Sequence, residues 1–329
     1  MSMANILKLP DLWRVIRELD LEQVRRDAEG RFRLVVLSEK AEDADAVVSL
    51  LSGDTAHPWI ETRTPSELSV DGDDRTTVTA VVALTDQPAL TPAADSAIQR
   101  LARAGVPVVT LVHGGGRPVD AVARAGETGR AVVPDLDDEH ALDPLAAALV
   151  RAVPAGQRLA LARQLPPVRD AVFDLLIEET AKANATYAFT TAMAEAVPVL
   201  DVPLNLADIL ILTKNQLLMG YKIALGAGKS GRARDVIGEV VGVVGGGFLF
   251  RQAARQLVGL IPMAGLIPKV AIAYTGTWAI GRAVVVWATQ GRRVSPATLR
   301  RLSHDAAGRG RAFARGLLSD RGGRSARAQ

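Results

Sequence analysis

Residues able to do chemistry are few in this chain. There is no cysteine, which excludes disulfides, thiolate nucleophiles and Cys-ligated metal centres. The four histidines, His57, His113, His140 and His304, lie far apart and form no HExxH pair. The run GAGKSG at 226–231 invites a phosphate-loop reading. Such a loop needs Gly-x-x-x-x-Gly-Lys-Ser/Thr between a strand and a helix, so that backbone N–H groups form a nest around the phosphates. Counting back from Gly228, the first glycine position holds Ile223, and the residues before it read as helix. A helix terminus followed by a basic loop is the better expectation.

A second place is more informative. The apolar run RLVVL (33–37) leads into SEKAEDADAVVSLLSGD. Laid on a phosphate loop, Ser38 takes the first glycine position, Asp43 the second, Ala44 the lysine position and Asp45 the serine position. The cation that would neutralise phosphate is missing, and Glu42, Asp43 and Asp45 supply the wrong sign. Like charges about 4 Å apart repel by roughly 1–4 kcal/mol at ordinary effective dielectrics. The acids could hold Mg²⁺ only if another group held the phosphates, and the sequence offers none. The later run VPVVTLV ends on His113, Gly114, Gly115 and Gly116, which leaves no Asn-Lys-x-Asp side chains to read a guanine base. The expectation is therefore no catalytic residue, no cofactor and no metal.

The elements that would position these residues follow from periodicity. Between 31 and 153 short Val-rich runs at 32–37, 77–84, 106–112 and 130–134 alternate with helical stretches at 42–52, 93–104 and 139–153. Continuous apolar runs suit strands buried on both faces, and this order predicts a mostly parallel α/β sheet. The polar stretch 62–76 reads as a surface loop. From 156 onward the pattern is helical, at about 156–165, 167–195, 204–226, 233–260, 266–290 and 295–318. The expected organisation is an amphipathic N-terminal helix over 1–30, an α/β domain over 31–153, a helical connector over 154–203, a helical domain over 204–291 and an Arg-rich tail over 292–329. The tail 292–329 contains glycines 308, 310, 316, 322 and 323, and its last ten residues are expected to be disordered.

Charge is divided unevenly among these parts. Residues 292–329 carry ten Arg against two Asp, while 31–153 carry 11 basic and 19 acidic side chains. The acidic body, and aromatic residues at only 4%, argue against specific nucleic-acid binding. The opening residues lack the uninterrupted apolar core of a secretory signal, so the N-terminus is expected to stay in the cytoplasm.

The chain resembles a bacterial family of Era/Der-like GTPases that carry a YcjF-like domain of unknown function at the C-terminus. The N-terminal stretch LWRVIRELDLEQVRRDAEGRFRLVVL is similar to the lead-in those proteins place before their first strand. The C-terminal likeness covers about 165–291 and includes LADILILTKNQLLMGYKIALGAG and RQAARQLVGLIPMAGLIPKVAIAYTGTWAIGRAVVVWATQG. Asp208, Gln216 and Met219 fall on its first pattern, and Arg251, Arg255, Pro262, Gly265, Lys269, Thr277 and Gly281 on its second. The resemblance implies a degenerate P-loop GTPase-like α/β domain followed by an all-α, membrane-associated domain. It implies a partner too, a GTPase paralogue or a second copy of the chain.

Segments 235–260 and 267–290 are long enough to cross a bilayer as a hairpin through Pro262 and Gly265. Within 270–289 six Val and Ile side chains favour insertion by about 2–3.6 kcal/mol, and Arg282 opposes it by about 2.5–3.5 kcal/mol. The sum is near zero, so an autonomous span is not predicted. A charge-paired hairpin or a helical domain lying against the membrane remains, with Tyr274, Trp278 and Trp287 as interface anchors or core residues. Asp208, Asn215 and Lys222, seven residues apart, form a polar stripe on one helix, either an interhelical ladder or a polar track. The basic tail would attract anionic lipid. The resulting expectation is a non-catalytic scaffold or regulator at the cytoplasmic face of a bacterial inner membrane. The alternatives are a membrane-remodelling or channel-like oligomer and a divergent nucleotide hydrolase.

Overall fold

The computed structural model describes residues 17, 19–53, 57–67, 78–86, 91–114, 128–138, 140–195, 206–244, 266–292 and 294–327. It divides into two compact units, one of Gln23–Leu175 and one of Met1–Glu22 with Leu176–Gln329.

The first unit is α/β. After helix α1 (Leu21–Glu29) come β1 (Leu34–Leu37), α2 (Ala41–Ser52), β2 (Ile60–Arg63), β3 (Ala80–Thr85), α3 (Pro92–Arg103), β4 (Val108–Val112), β5 (Gly129–Val132), α4 (Leu142–Ala152) and α5 (Ala155–Gln164). The strands form one sheet in the order β2-β1-β3-β4-β5, every pair parallel. In register, Leu34 faces Ile60 on one side and Ala80 on the other. β1 and β3 are apolar because helices cover both faces, and Val35, Leu37, Val81 and Ala83 join Ala97, Ile98 and Leu101 of α3 in one core. Helix α3 starts where Thr91 accepts a hydrogen bond from the Ala94 N–H and Pro92 occupies the first turn. The chain leaves it through Gly105 at φ 76°, a left-handed conformation that favours glycine.

Strand β2, Ile-Glu-Thr-Arg, extends into the start of the stretch expected to be loop. It is an edge strand, so its side chains need not be apolar. Its Glu61 takes two bonds from Arg33, at 2.7 and 2.8 Å, and one from Arg63 at 3.1 Å. The Arg33 guanidinium, with Arg63 beside it, holds this carboxyl below the usual glutamate range.

The second unit is helical, built on α6 (Arg169–Glu195), α7 (Leu206–Gly226), α8 (Ala233–Val244), α9 (Leu266–Gln290) and α10 (Pro296–Arg327). Helix α6 begins in the first unit and continues into this one. Helix α9 is the hub. Val270 and Tyr274 pack with Ala181 and Ala185 of α6 and Ala314 of α10, while Ala279 and Ala283 meet Leu299. Backbones approach closely where glycine allows it. A Cβ on Gly281 would lie 2.5 Å from Ile177, and one on Gly310 would lie 2.8 Å from the Ala271 carbonyl oxygen. The Arg-rich segment is thus a 32-residue helix docked on α9; it covers the helix expected over 295–318 and runs on to Arg327, into residues expected to be disordered.

Candidate functional site

In an open parallel sheet, ligands bind beyond the carboxyl ends of the strands where the strand order reverses. Here that point lies between β1 and β3. Three residues, Ser38, Glu39 and Lys40, join β1 to α2. The Ser38 N–H donates to the Arg63 carbonyl at 3.1 Å, and its Oγ accepts from the Lys40 N–H at 3.1 Å. Lys40 caps α2 with φ −112° and ψ 124°, and no non-glycine residue described has positive φ. The alternating left-handed backbone of a phosphate nest is therefore absent from this turn.

The polar side chains at this edge engage one another. Lys40 Nζ donates to Asp86 Oδ2 at 2.6 Å, just beyond β3. That bond and its charge hold Asp86 below the usual aspartate range and push Lys40 up. Thr91 donates to Glu39 at 2.5 Å. Asp43 Oδ2 lies 3.3 Å from Nε2 of the buried His113, which follows β4. Of the acids singled out in the sequence, only Asp43 takes part. Glu42 and Asp45 are exposed, and Ala44 is buried under α2. Among the described residues no group of three or more His, Asp or Glu side chains could hold a metal ion. The glycines that follow Gly114 lie outside the described residues.

The run at 226–231 is a helix end. Gly228 N–H donates to the Leu225 carbonyl and Lys229 N–H to the Ala224 carbonyl, both at 3.0 Å, with Gly228 at φ 92°. The Lys229 ammonium sits 4.9 Å from the centre of the Trp287 ring.

In the helical unit the structure brings together two of the singled-out residues, Gln216 and Thr277. Thr277 Oγ1 donates to the Ala273 carbonyl at 2.8 Å and accepts from Gln216 at 3.1 Å and from Asn184 at 2.9 Å. Asn184 Oδ1 then accepts from Asn215 at 2.7 Å. A threonine hydroxyl has one proton and two lone pairs, so Thr277 is saturated. Asn215, expected on a polar stripe, belongs to an interhelical ladder. Asn184 carries no sequence signal beyond being a polar residue within a long helix. Nor do Glu178, to which Tyr274 donates, and Lys182, 3.0 Å from that carboxylate.

Met219 is buried, and Gly281 marks the α6–α9 crossing. Lys269 lies in the first turn of α9 and Asp208 in the first turn of α7, the Asp208 side chain being outside the described residues. Arg251, Arg255, Pro262 and Gly265 are also outside the described residues, as is the bend of the expected hairpin. Trp278 lies between the guanidinium groups of Arg282 and Arg309, at 5.8 and 5.2 Å from its centre. Among the described residues one segment, Lys269–Gln290, is long and apolar enough to cross a membrane, and 61% of its most apolar window is buried within the protein.

No family model, no curated protein and no solved structure matches the chain.

Proposed function

We propose that the protein is a non-catalytic scaffold or regulator at the cytoplasmic face of the bacterial inner membrane. In this reading its α/β unit is a degenerate, GTPase-like domain, and the protein works with a GTPase or as a homo-oligomer. One observation carries the reading. Helix α2 starts at Ala41, two residues before the position matched to the second glycine, so only three residues separate strand from helix. A three-residue turn does not wrap a triphosphate. Its one cation, Lys40, is bonded to Asp86, and Asp43 faces the same edge beside His113. The apolar segment within α9 supports contact with a membrane.

Titration calorimetry with GTP and with ATP at millimolar Mg²⁺ tests this. Neither nucleotide should give a binding isotherm, and Lys40→Ala should change nothing. Micromolar, Mg²⁺-dependent binding that Lys40→Ala abolishes would refute the reading. Light scattering should report a particle larger than the 34.8 kDa chain.

A further inference from the structure

Helix α10 has two unlike faces. Leu299, Ala306 and Ala314 are buried, and Gly310 lets its backbone meet α9. Opposite them Arg301, Arg311 and Arg315 are exposed. At 100° and 1.5 Å per residue, these three fall within a sector of about 80° over about 21 Å. Gly308, Ala312 and Gly316, between and beside them, are exposed and too small to screen the guanidinium groups. Asp305 is the only acid among the described side chains of this helix. The whole helix carries eight Arg against two Asp.

Helix α9 is more enclosed, with 61% of its most apolar window buried within the protein. Gly281 meets α6, Thr277 is bonded from α6 and α7, and Ala271 meets α10. Most of its apolar window is thus used within the bundle.

We infer that the protein docks on an anionic bilayer through the outer arginine face of α10, with α9 retained inside the bundle. This rests on the membrane-associated reading above and specifies its surface and its lipid. A strip of three exposed arginines along one side of a helix is complementary to a plane of negative headgroups. The strip offers no aromatic ring on which a nucleic-acid base would stack. Trp278 is engaged by arginines and Phe313 stacks with Tyr274.

The test uses the full-length protein and its Arg301→Glu/Arg311→Glu/Arg315→Glu variant. All three side chains are exposed, so circular dichroism and melting should match the wild type. Binding is measured to phosphatidylcholine vesicles with and without phosphatidylglycerol. Wild type should bind only the anionic vesicles and release as salt rises. The variant should bind them on the order of 100-fold more weakly, at roughly fivefold for each basic side chain near the surface. Alkaline carbonate should extract wild type from native membranes. The inference falls if the variant binds anionic vesicles as wild type does, if neutral vesicles bind equally, or if carbonate leaves wild type in the pellet. It also falls if duplex DNA at the same salt binds more tightly than the anionic vesicles. Wild type that binds no vesicle even at low salt would remove the membrane-associated reading as well, an outcome separate from wild type and variant binding alike.

Discussion

At the scale of single residues, Thr277 has the greatest leverage in the helical unit. Its hydroxyl ties α6, α7 and α9 together, and both Thr277 and Asn184 are excluded from solvent. Thr277→Val keeps the shape and removes the partner of two amide donors. An unsatisfied buried donor costs about 1–3 kcal/mol, so the variant should lose about 2–6 kcal/mol in urea denaturation. Thr277→Ser, which keeps the hydroxyl, should recover most of that loss. A Thr277→Val midpoint equal to that of wild type would mean that the ladder contributes nothing. Besides its energy, a buried ladder of this kind fixes which faces of the three helices meet.

At the scale of elements, glycine decides how α10 sits. A Cβ at Gly310 would meet the Ala271 carbonyl at 2.8 Å, and a backbone atom cannot turn aside. Gly310→Ala should cost about 1–3 kcal/mol and expose the arginines of α10 to faster tryptic cleavage. Two residues earlier, a Cβ at Gly308 meets nothing within 4 Å. Gly308→Ala should be neutral or stabilise by up to about 1 kcal/mol through helix propensity. Equal effects at the two sites would show that α10 does not pack as described.

The same pair of glycines shows where sequence reading reaches its limit. Gly308 and Gly310 look alike as helix breakers, and only the neighbouring helix distinguishes the open site from the close approach. Strands β1, β3 and β4 were legible because burial on both faces makes them continuously apolar. Strand β2 was not, because an edge strand held by Arg33, Glu61 and Arg63 looks like loop. The described helical segments were legible from length and period, while residues 1–16 of the expected N-terminal helix and 245–260 of the expected helix over 233–260 lie outside the described residues. At the candidate site the lost cation and the acids were visible in order. That Asp43 turns to His113 while Asp45 faces solvent depends on helical phase, which a phosphate-loop template places wrongly once α2 starts at Ala41. The Gln216–Thr277 pairing joins residues 61 positions apart, and no local pattern encodes it.

At the scale of the whole molecule, each apolar cluster among the described residues lies within one unit. The sheet cluster runs from Val35 to Val108, and the helical clusters take residues from Ala181 to Ala314. Unfolding should therefore depart from a single two-state transition. Thr277→Val should move the later or earlier of two calorimetric peaks and leave the other in place. One peak that shifts as a whole would show that the units melt together. The position of α10 has a further consequence, for the order of events during synthesis. Domains generally fold as units, the N-terminal one first, while the ribosome is still translating. The α/β unit ends at Leu175 and emerges early. The helical unit waits for its last 32-residue helix, and until that helix emerges Val270, Ala271 and Tyr274 of α9 lack their cover. A nascent chain stalled before Pro296 should therefore be the form that chaperones capture.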